Sequence, residues 1–198
     1  MRGLPFVAEV AQKNLNVLFR MMKQGINSPL TSSCGRLFDA VSALAGIRRQ
    51  VNYEAQAAIE LEMAIGNSKD EDEDSYLFDL ISDGEGLVIG TRSLFEALLS
   101  DMAREASVGD ISRRFHNGLV KVLAEVAVRL RERSGLTRVC LSGGTFQNDY
   151  LFQRLCERLQ KNGFQVFTHS EVPAGDGGLS LGQALVASQR LSQSLVSG

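Results

Sequence analysis

Residues 139–148 read Val139-Cys140-Leu141-Ser142-Gly143-Gly144-Thr145-Phe146-Gln147-Asn148, and this stretch decides the fold. A short apolar run ends in a Ser-Gly-Gly turn, and an amphipathic pattern with Leu151, Leu155 and Leu159 on one face follows at once. That is a strand–loop–helix unit. Glycines lack Cβ, so their backbone can approach a ligand closely. Unpaired N–H groups at a helix start favour an anion, often a phosphate. A Gly-Gly between strand and helix is more often only a tight turn. The phosphate reading gains from a second glycine-rich helix start downstream, Gly175-Asp176-Gly177-Gly178.

Working outward, residues 164–168 form a further apolar run after the helix stop Asn162-Gly163, and the second glycine turn opens a last helix with Leu181, Ala184 and Leu185 on one face. Upstream, residues 76–81 and 87–91 flank Ser82-Asp83-Gly84-Glu85-Gly86, a hairpin signal. Two helices follow, marked by Leu94, Leu98 and Met102, then by Leu119, Leu123, Val126 and Leu130. Residues 76–198 therefore read β-β-α-α-β-α-β-α. This predicts an α/β lobe with one mixed sheet flanked by helices. Ligands of such sheets bind beyond the carboxyl ends of the parallel strands, where Ser142 and the turn after Thr168 both fall.

Residues 1–75 read as a helical region packed on or inserted in that lobe. Val7, Ala11, Leu15, Leu18 and Met22 recur at helical spacing until Gly25 and Pro29. Thr31-Ser32-Ser33 offers caps for a helix carrying Leu37, Val41 and Leu44, and a third helix spans 53–65. The polar run 67–74 reads as a solvated loop.

Composition excludes several classes. The 198 residues carry a formal net charge of −2, with no basic stripe, so neither nucleic acid nor a membrane surface is an expected partner. Cys34, Cys140 and Cys156 are too scattered for a metal site or a disulfide framework, which points to a reducing, cytoplasmic compartment. No signal-peptide pattern or membrane-length apolar run is present.

The candidate site residues each have a plain alternative. Ser142, Gly143 and Gly144 cradle a phosphate or merely turn the chain. Asn148 holds a ligand or caps a helix, and the cap is favoured without further context. Asp176 is a hard oxygen ligand for a metal, or an N-cap. Asp39 and Glu60 accept hydrogen bonds from a ribose diol, or face solvent. His116 and His169 lack a Cys, His or Glu at ligand spacing and receive no role. Cys140 and Cys156 fall at core-facing positions and read as small buried groups.

Four segments occur together and in order. They are Thr31-Ser-Ser-Cys-Gly-Arg-Leu-Phe-Asp-Ala40, Tyr53-Glu-Ala-Gln-Ala-Ala-Ile-Glu60, Ser142-Gly-Gly-Thr-Phe-Gln-Asn148 and Asp176-Gly-Gly-Leu-Ser-Leu-Gly-Gln183. Jointly they resemble the C-terminal end of the HypF family, the carbamoyltransferases of [NiFe]-hydrogenase maturation. The region also resembles the threonylcarbamoyl transferases of tRNA. Both belong to the actin-like ATPase superfamily, so the resemblance implies an RNase H-like lobe. It implies that a carbamoyl group passes from carbamoyl-adenylate, made from carbamoyl phosphate and ATP, to the C-terminal cysteine of a HypE partner. Ser142, Gly143 and Gly144 would then meet nucleotide phosphates, and Asn148 would help hold the nucleotide. Asp39 and Glu60 would hold the ribose. Asp176 would ligate a divalent metal (Mg, Fe or Zn) shared with the other lobe.

The chain departs from the family pattern at Ala55, where glycine is expected, so a Cβ stands where the backbone would approach a nucleotide. The family's acylphosphatase-like, zinc-finger and adenylate-forming regions and its other transferase lobe are not in this sequence. The chain is read as a C-terminal fragment carrying half a site, inactive alone and joined in the full-length protein to its remaining domains. Competing readings are a sugar or acetate kinase-like lobe, a small-molecule O-carbamoyltransferase lobe, and a non-catalytic interaction lobe. The acceptor, cysteine or hydroxyl, separates the two carbamoyltransferase readings.

Overall fold

A 27-residue helix with a glycine near its middle organises the α/β part of this chain. The structure is a computed structural model that describes residues 10–66, 74–84 and 86–196. The early apolar position Val7, the polar run up to residue 73 and Glu85 of the hairpin turn lie outside the described residues. The chain divides into two units, Met1–Ala64 and Ile65–Gly198.

The first unit holds helices α1 (Gln12–Gln24), α2 (Cys34–Leu44) and α3 (Gln56–Met63). Helix α1 ends at Gly25, whose φ of 68° closes the last turn in the left-handed region as the sequence indicated. Its apolar stripe is largely uncovered: no residue of α1 is buried, and Leu18 and Met22 are 49% and 58% exposed. Ser33 caps α2 by accepting the Arg36 N–H. Phe38 and Val41 of α2 pack with Ala57 and Leu61 of α3, and all four are buried. Helix α3 starts three residues later than the periodicity from Tyr53 suggests. The cause is Ala55, whose φ of 60° and ψ of 8° put it in the left-handed region, outside the helix.

The second unit begins its regular structure with β1 (Asp79–Asp83) and β2 (Gly86–Gly90), antiparallel with Asp83 opposite Gly86. A two-residue connection with Gly84 at φ 59° closes this hairpin. Helix α4 (Arg92–Ala103) and the long α5 (Val108–Ser134) follow. Strand β3 (Arg138–Cys140), α6 (Asp149–Lys161) and β4 (Gln165–Phe167) make a βαβ unit with β3 parallel to β4. Helix α7 (Leu179–Val196) closes the described chain. The core lies between α5 and α6, where Phe115, Leu119, Leu151, Leu155 and Leu159 are buried.

The expected single mixed sheet is not formed. Among the described residues the strands make two separate two-stranded sheets, β1–β2 and β3–β4. The order of elements fixes which strands exist, while pairing depends on which edges meet, and that is non-local. Beside β3, Leu123, Val126 and Leu130 of α5 line an apolar groove of about 340 Å3 with Val139 and Leu141. Cys140 is exposed, not core-facing as expected, whereas Cys156 is half-buried, with its thiol pushed up by burial.

Gly118 shows why α5 needs a glycine. The segment 74–76 lies directly on this helix. The Tyr76 N–H donates to the Arg114 carbonyl (3.0 Å), and Asn117 Nδ2 donates to the Asp74 carbonyl (3.0 Å). A Cβ at Gly118 would stand 2.2 Å from the Tyr76 carbonyl oxygen. Alanine ordinarily gains about 1 kcal/mol over glycine inside a helix, but here backbone would have to move. We expect Gly118→Ala to destabilise the chain by about 1–3 kcal/mol in urea unfolding. In contrast, Gly182→Ala in α7, where a Cβ meets nothing within 4 Å, should leave stability unchanged or raise it by up to about 1 kcal/mol.

Ala55 gives the opposite sign. A left-handed alanine costs about 1–2 kcal/mol, and glycine recovers this less about 0.4–1 kcal/mol of extra unfolded-chain entropy. Ala55→Gly should therefore stabilise the first unit by about 0.5–1 kcal/mol, read as a higher urea midpoint. An unchanged or lower midpoint would contradict the strain.

Candidate functional site

The parallel register sets the site. Cys140 stands opposite Phe167, and the Leu141 N–H still donates to the Phe167 carbonyl (2.9 Å). Two residues beyond each strand the chain reaches Ser142 and His169. Both side chains are exposed, and His169 Nε2 lies 2.9 Å from Ser142 Oγ. Next, Gly143 adopts φ 112°, a conformation that a side chain would strain. Its N–H donates to the Ala174 carbonyl (2.8 Å), which ties the first glycine turn to the second. Gly175 sits against this loop, because a Cβ there would meet Gln147 Nε2 at 3.3 Å and Gly144 Cα at 3.9 Å.

The structure thus brings together Ser142, Gly143, Gly144 and the turn that carries Asp176. A Cβ at Gly143 or Gly144 would meet nothing within 4 Å, so the loop faces open space. Because the Gly143 N–H is committed to Ala174, the amides left for an anion are those that open the 3₁₀ turn Gly144–Gln147. Asp176 is exposed at the start of the 3₁₀ turn Asp176–Gly178, and its carboxylate has no hydrogen-bond or ion-pair partner among the described residues. No group of three His, Cys, Asp or Glu side chains able to hold a metal occurs among the described residues.

Asn148 is buried and works as a cap. Its Oδ1 accepts the Leu151 N–H (2.8 Å) at the start of α6, and its Nδ2 lies 3.0 Å from His116 Nε2. His116 on α5 is fully buried. Its Nδ1 lies 2.8 Å from the Ser112 carbonyl, which can only accept, so Nδ1 carries the proton. Nε2 is then the acceptor of the Asn148 amide. Burial holds the imidazole neutral, pushing its pKa down to about 4 against a weaker opposing effect of the Ser112 carbonyl. Tyr150 stacks edge-on against this ring and donates to Asn117 Oδ1 (2.9 Å).

The two remaining candidates belong to the first unit. Asp39 pairs with Arg36 at 2.9 Å. Glu60 receives both arms of Arg48 (2.8 and 2.6 Å) and Gln56 Nε2 (2.9 Å), and the Arg48 guanidinium holds its carboxyl below the usual range. The two carboxylates share no hydrogen-bond partner among the described residues.

Neither histidine has a Cys, His or Glu at ligand spacing that would mark it in the sequence. For His169 the available signal is its place just beyond the second strand of the βαβ unit, as Ser142 lies just beyond the first. His116 was accessible from its place one position after Phe115 in the buried stripe of α5.

The family described as carbamoyltransferase, Kae1-like domain, second subdomain, matches residues 2–183. The chain belongs to this family. It is 34% identical over 181 residues to the carbamoyltransferase HypF of Synechocystis, covering 91% of this chain and 22% of that protein. A carbamoyltransferase HypF homolog of Cupriavidus necator is 33% identical over 201 residues, covering 98% of this chain and 50% of the homolog. A full-length HypF crystallised in a phosphate- and nucleotide-bound form superposes with a TM-score of 0.87 at 38% identity, over 94% of this chain and 24% of that one. The chain thus spans about a quarter or less of these full-length HypF proteins. The described residues form an α/β, helix-rich architecture with small sheets, and the chain matches both the carbamoyltransferase family domain and the solved HypF. No described helix is long and apolar enough to cross a membrane.

His116 makes stability depend on pH with a definite sign. Its folded pKa of about 4 lies below the ordinary 6.5, so the unfolded chain takes up the proton first. Its contribution is intact above about pH 6.5, falls as pH drops towards 4, and levels off below, for a total on the order of 3 kcal/mol. His116→Leu should flatten this part of the urea-midpoint profile. It should also cost about 1–3 kcal/mol at neutral pH, because the Asn148 amide loses its buried acceptor. A wild-type profile with the same slope as the variant between pH 6.5 and 4.5 would refute the assignment.

Proposed function

We propose that this chain is the nucleotide- and metal-contacting lobe of a HypF-type transferase domain, acting within a longer assembly. The donor is carbamoyl-adenylate, made from carbamoyl phosphate and ATP in other domains. The acceptor is the C-terminal cysteine of a HypE-like protein in cytoplasmic [NiFe]-hydrogenase maturation. The observation that carries the reading is the joining of the two glycine turns, with an open loop beside Ser142 and a carboxylate at Asp176 that has no partner among the described residues. The nucleotide-bound HypF relative and the carbamoyltransferase family membership support it.

The residues fit the expected ligands. Ser142 Oγ and the opening amides of the 3₁₀ turn present donors to phosphate oxygens, while Gly143 and Gly144 leave room for them. Asn148 contributes by holding the loop, since both ends of its amide are engaged. Asp39 and Glu60 are the ribose-binding carboxylates of this reading. Asp176 is a hard ligand suited to a divalent cation completed by the other lobe, and bound metal would offset charge on the adenylate oxygens. In the transfer the acceptor thiolate attacks the carbamoyl carbon, the C–S bond forms, and the C–O bond to the adenylate phosphate breaks with release of AMP. This lobe's donors stabilise the negative charge that the departing phosphate gains.

A second reading, a lobe that only docks on a partner, draws on the largely uncovered apolar stripe of α1. A chimera separates the two. The matching segment of Synechocystis HypF is replaced by this chain, and carbamoyl transfer to a HypE-like acceptor is measured. The chimera should be active, and Asp176→Ala should lower transfer at least about a hundredfold with acceptor binding retained. An active chimera indifferent to Asp176→Ala would sink the catalytic reading and favour docking.

A further inference from the structure

We propose that His169 is an anion-positioning residue of the glycine-loop site, acting on a phosphate-bearing ligand through the Ser142 hydroxyl. The inference rests on the nucleotide reading given above. Ser142 and His169 lie two residues beyond a pair in parallel register, and their side chains meet at 2.9 Å on the exposed rim of the loop. Beside them the backbone of Gly143 and Gly144 leaves free volume that a ligand can enter.

The proton count gives the mechanism. Ser142 Oγ has one hydrogen and two lone pairs, and the imidazole Nε2 can donate or accept. Without a ligand either atom can donate across the contact. A phosphate oxygen only accepts, so it must take the serine proton. Nε2 must then carry the hydrogen that Oγ accepts. A bound phosphate therefore selects the ring form protonated at Nε2, and the ring in turn aims the hydroxyl at the phosphate. The alternative, a serine nucleophile with a histidine base, lacks its third member. Ser142 is the ring's sole hydrogen-bond partner among the described residues, so nothing orients the imidazole as a base.

The test titrates ADP with Mg2+, inorganic pyrophosphate, and adenosine as a phosphate-free control. The chain and its variants His169→Ala, His169→Gln, Ser142→Ala and His169→Ala/Ser142→Ala are followed by NMR. His169→Ala and Ser142→Ala should each weaken ADP and pyrophosphate about five- to tenfold. The double variant should lose no more than the larger single loss, because one residue acts through the other. His169→Gln, which keeps an N–H near the Nε2 position, should bind within about twofold of the parent. Adenosine affinity should not change, and ADP should fix the His169 proton on Nε2 in ring-nitrogen spectra. ADP binding undiminished by His169→Ala, or losses that add in the double variant, would overturn this inference alone. If the chain alone binds neither ADP nor pyrophosphate, the same variants are compared in the Synechocystis HypF chimera described above, and absence of any ligand effect at residues 142–148 there too would overturn the nucleotide reading and this inference with it.

Discussion

Asn148 engages both ends of one amide, and the candidate site hangs on that. Its oxygen starts α6 by capping Leu151, and its nitrogen is held by His116 from the middle of α5. Without the cap, the first turn of α6 would have an orphan donor inside a buried region. Without the histidine, the amide could turn over and exchange its two ends. Together these bonds fix where the loop 142–148 leaves the core. The tautomer of His116 follows from the Ser112 carbonyl below it, so the chain of orientation runs from the α5 backbone to the loop. Desolvation keeps the ring neutral, and neutrality is what lets Nε2 accept.

A second constraint is the close passage of segment 74–78 over α5. Gly118 allows the Tyr76 carbonyl to approach, and polar groups on both sides hold the crossing. Lys121 Nζ reaches Ser75 Oγ at 2.9 Å, and Arg114 Nε reaches Asp74 at 2.7 Å. The Tyr76 hydroxyl donates to Asp101, which also pairs with Arg114, so α4 is drawn into the same cluster. Burial and the neighbouring carboxylate both push the tyrosine's pKa upward, which keeps the phenol a donor. The hairpin that follows is therefore anchored at its entry, before its own strands begin.

Much of this was legible in sequence because it is local. Gly25 stops α1, Ser33 caps α2, and Leu151, Leu155 and Leu159 mark the buried face of α6. The strand–loop–helix at 139–148 and the helix stop before β4 are also local patterns. What was not legible is what depends on partners far along the chain. The separation into two small sheets depends on edges that meet or do not meet. That His116 meets Asn148 depends on α6 packing against α5. The left-handed Ala55 could not be read from residue type, because alanine favours helix and gives no sign of such a turn. The glycine expected there by resemblance was the only hint, and the observed φ supplies its physical reason.

Glu60 satisfies a local pairing and still has room to accept a further hydrogen bond. Its Oε1 already accepts from Arg48 and Gln56, and its Oε2 accepts from Arg48. A carboxylate offers about four lone-pair sites, so one position on Oε2 is left for a hydroxyl. A ribose diol gripped through both oxygens would have to displace one existing donor. The Arg48 side chain is 36% exposed, so that pair is screened by water and cheap to loosen. The same arginine, while paired, keeps Glu60 ionised and fixes its rotamer, which is the state a diol requires. Under the proposed reading, Arg48 and Gln56 therefore hold the carboxylate ready for the sugar and yield part of their hydrogen bonding when it arrives.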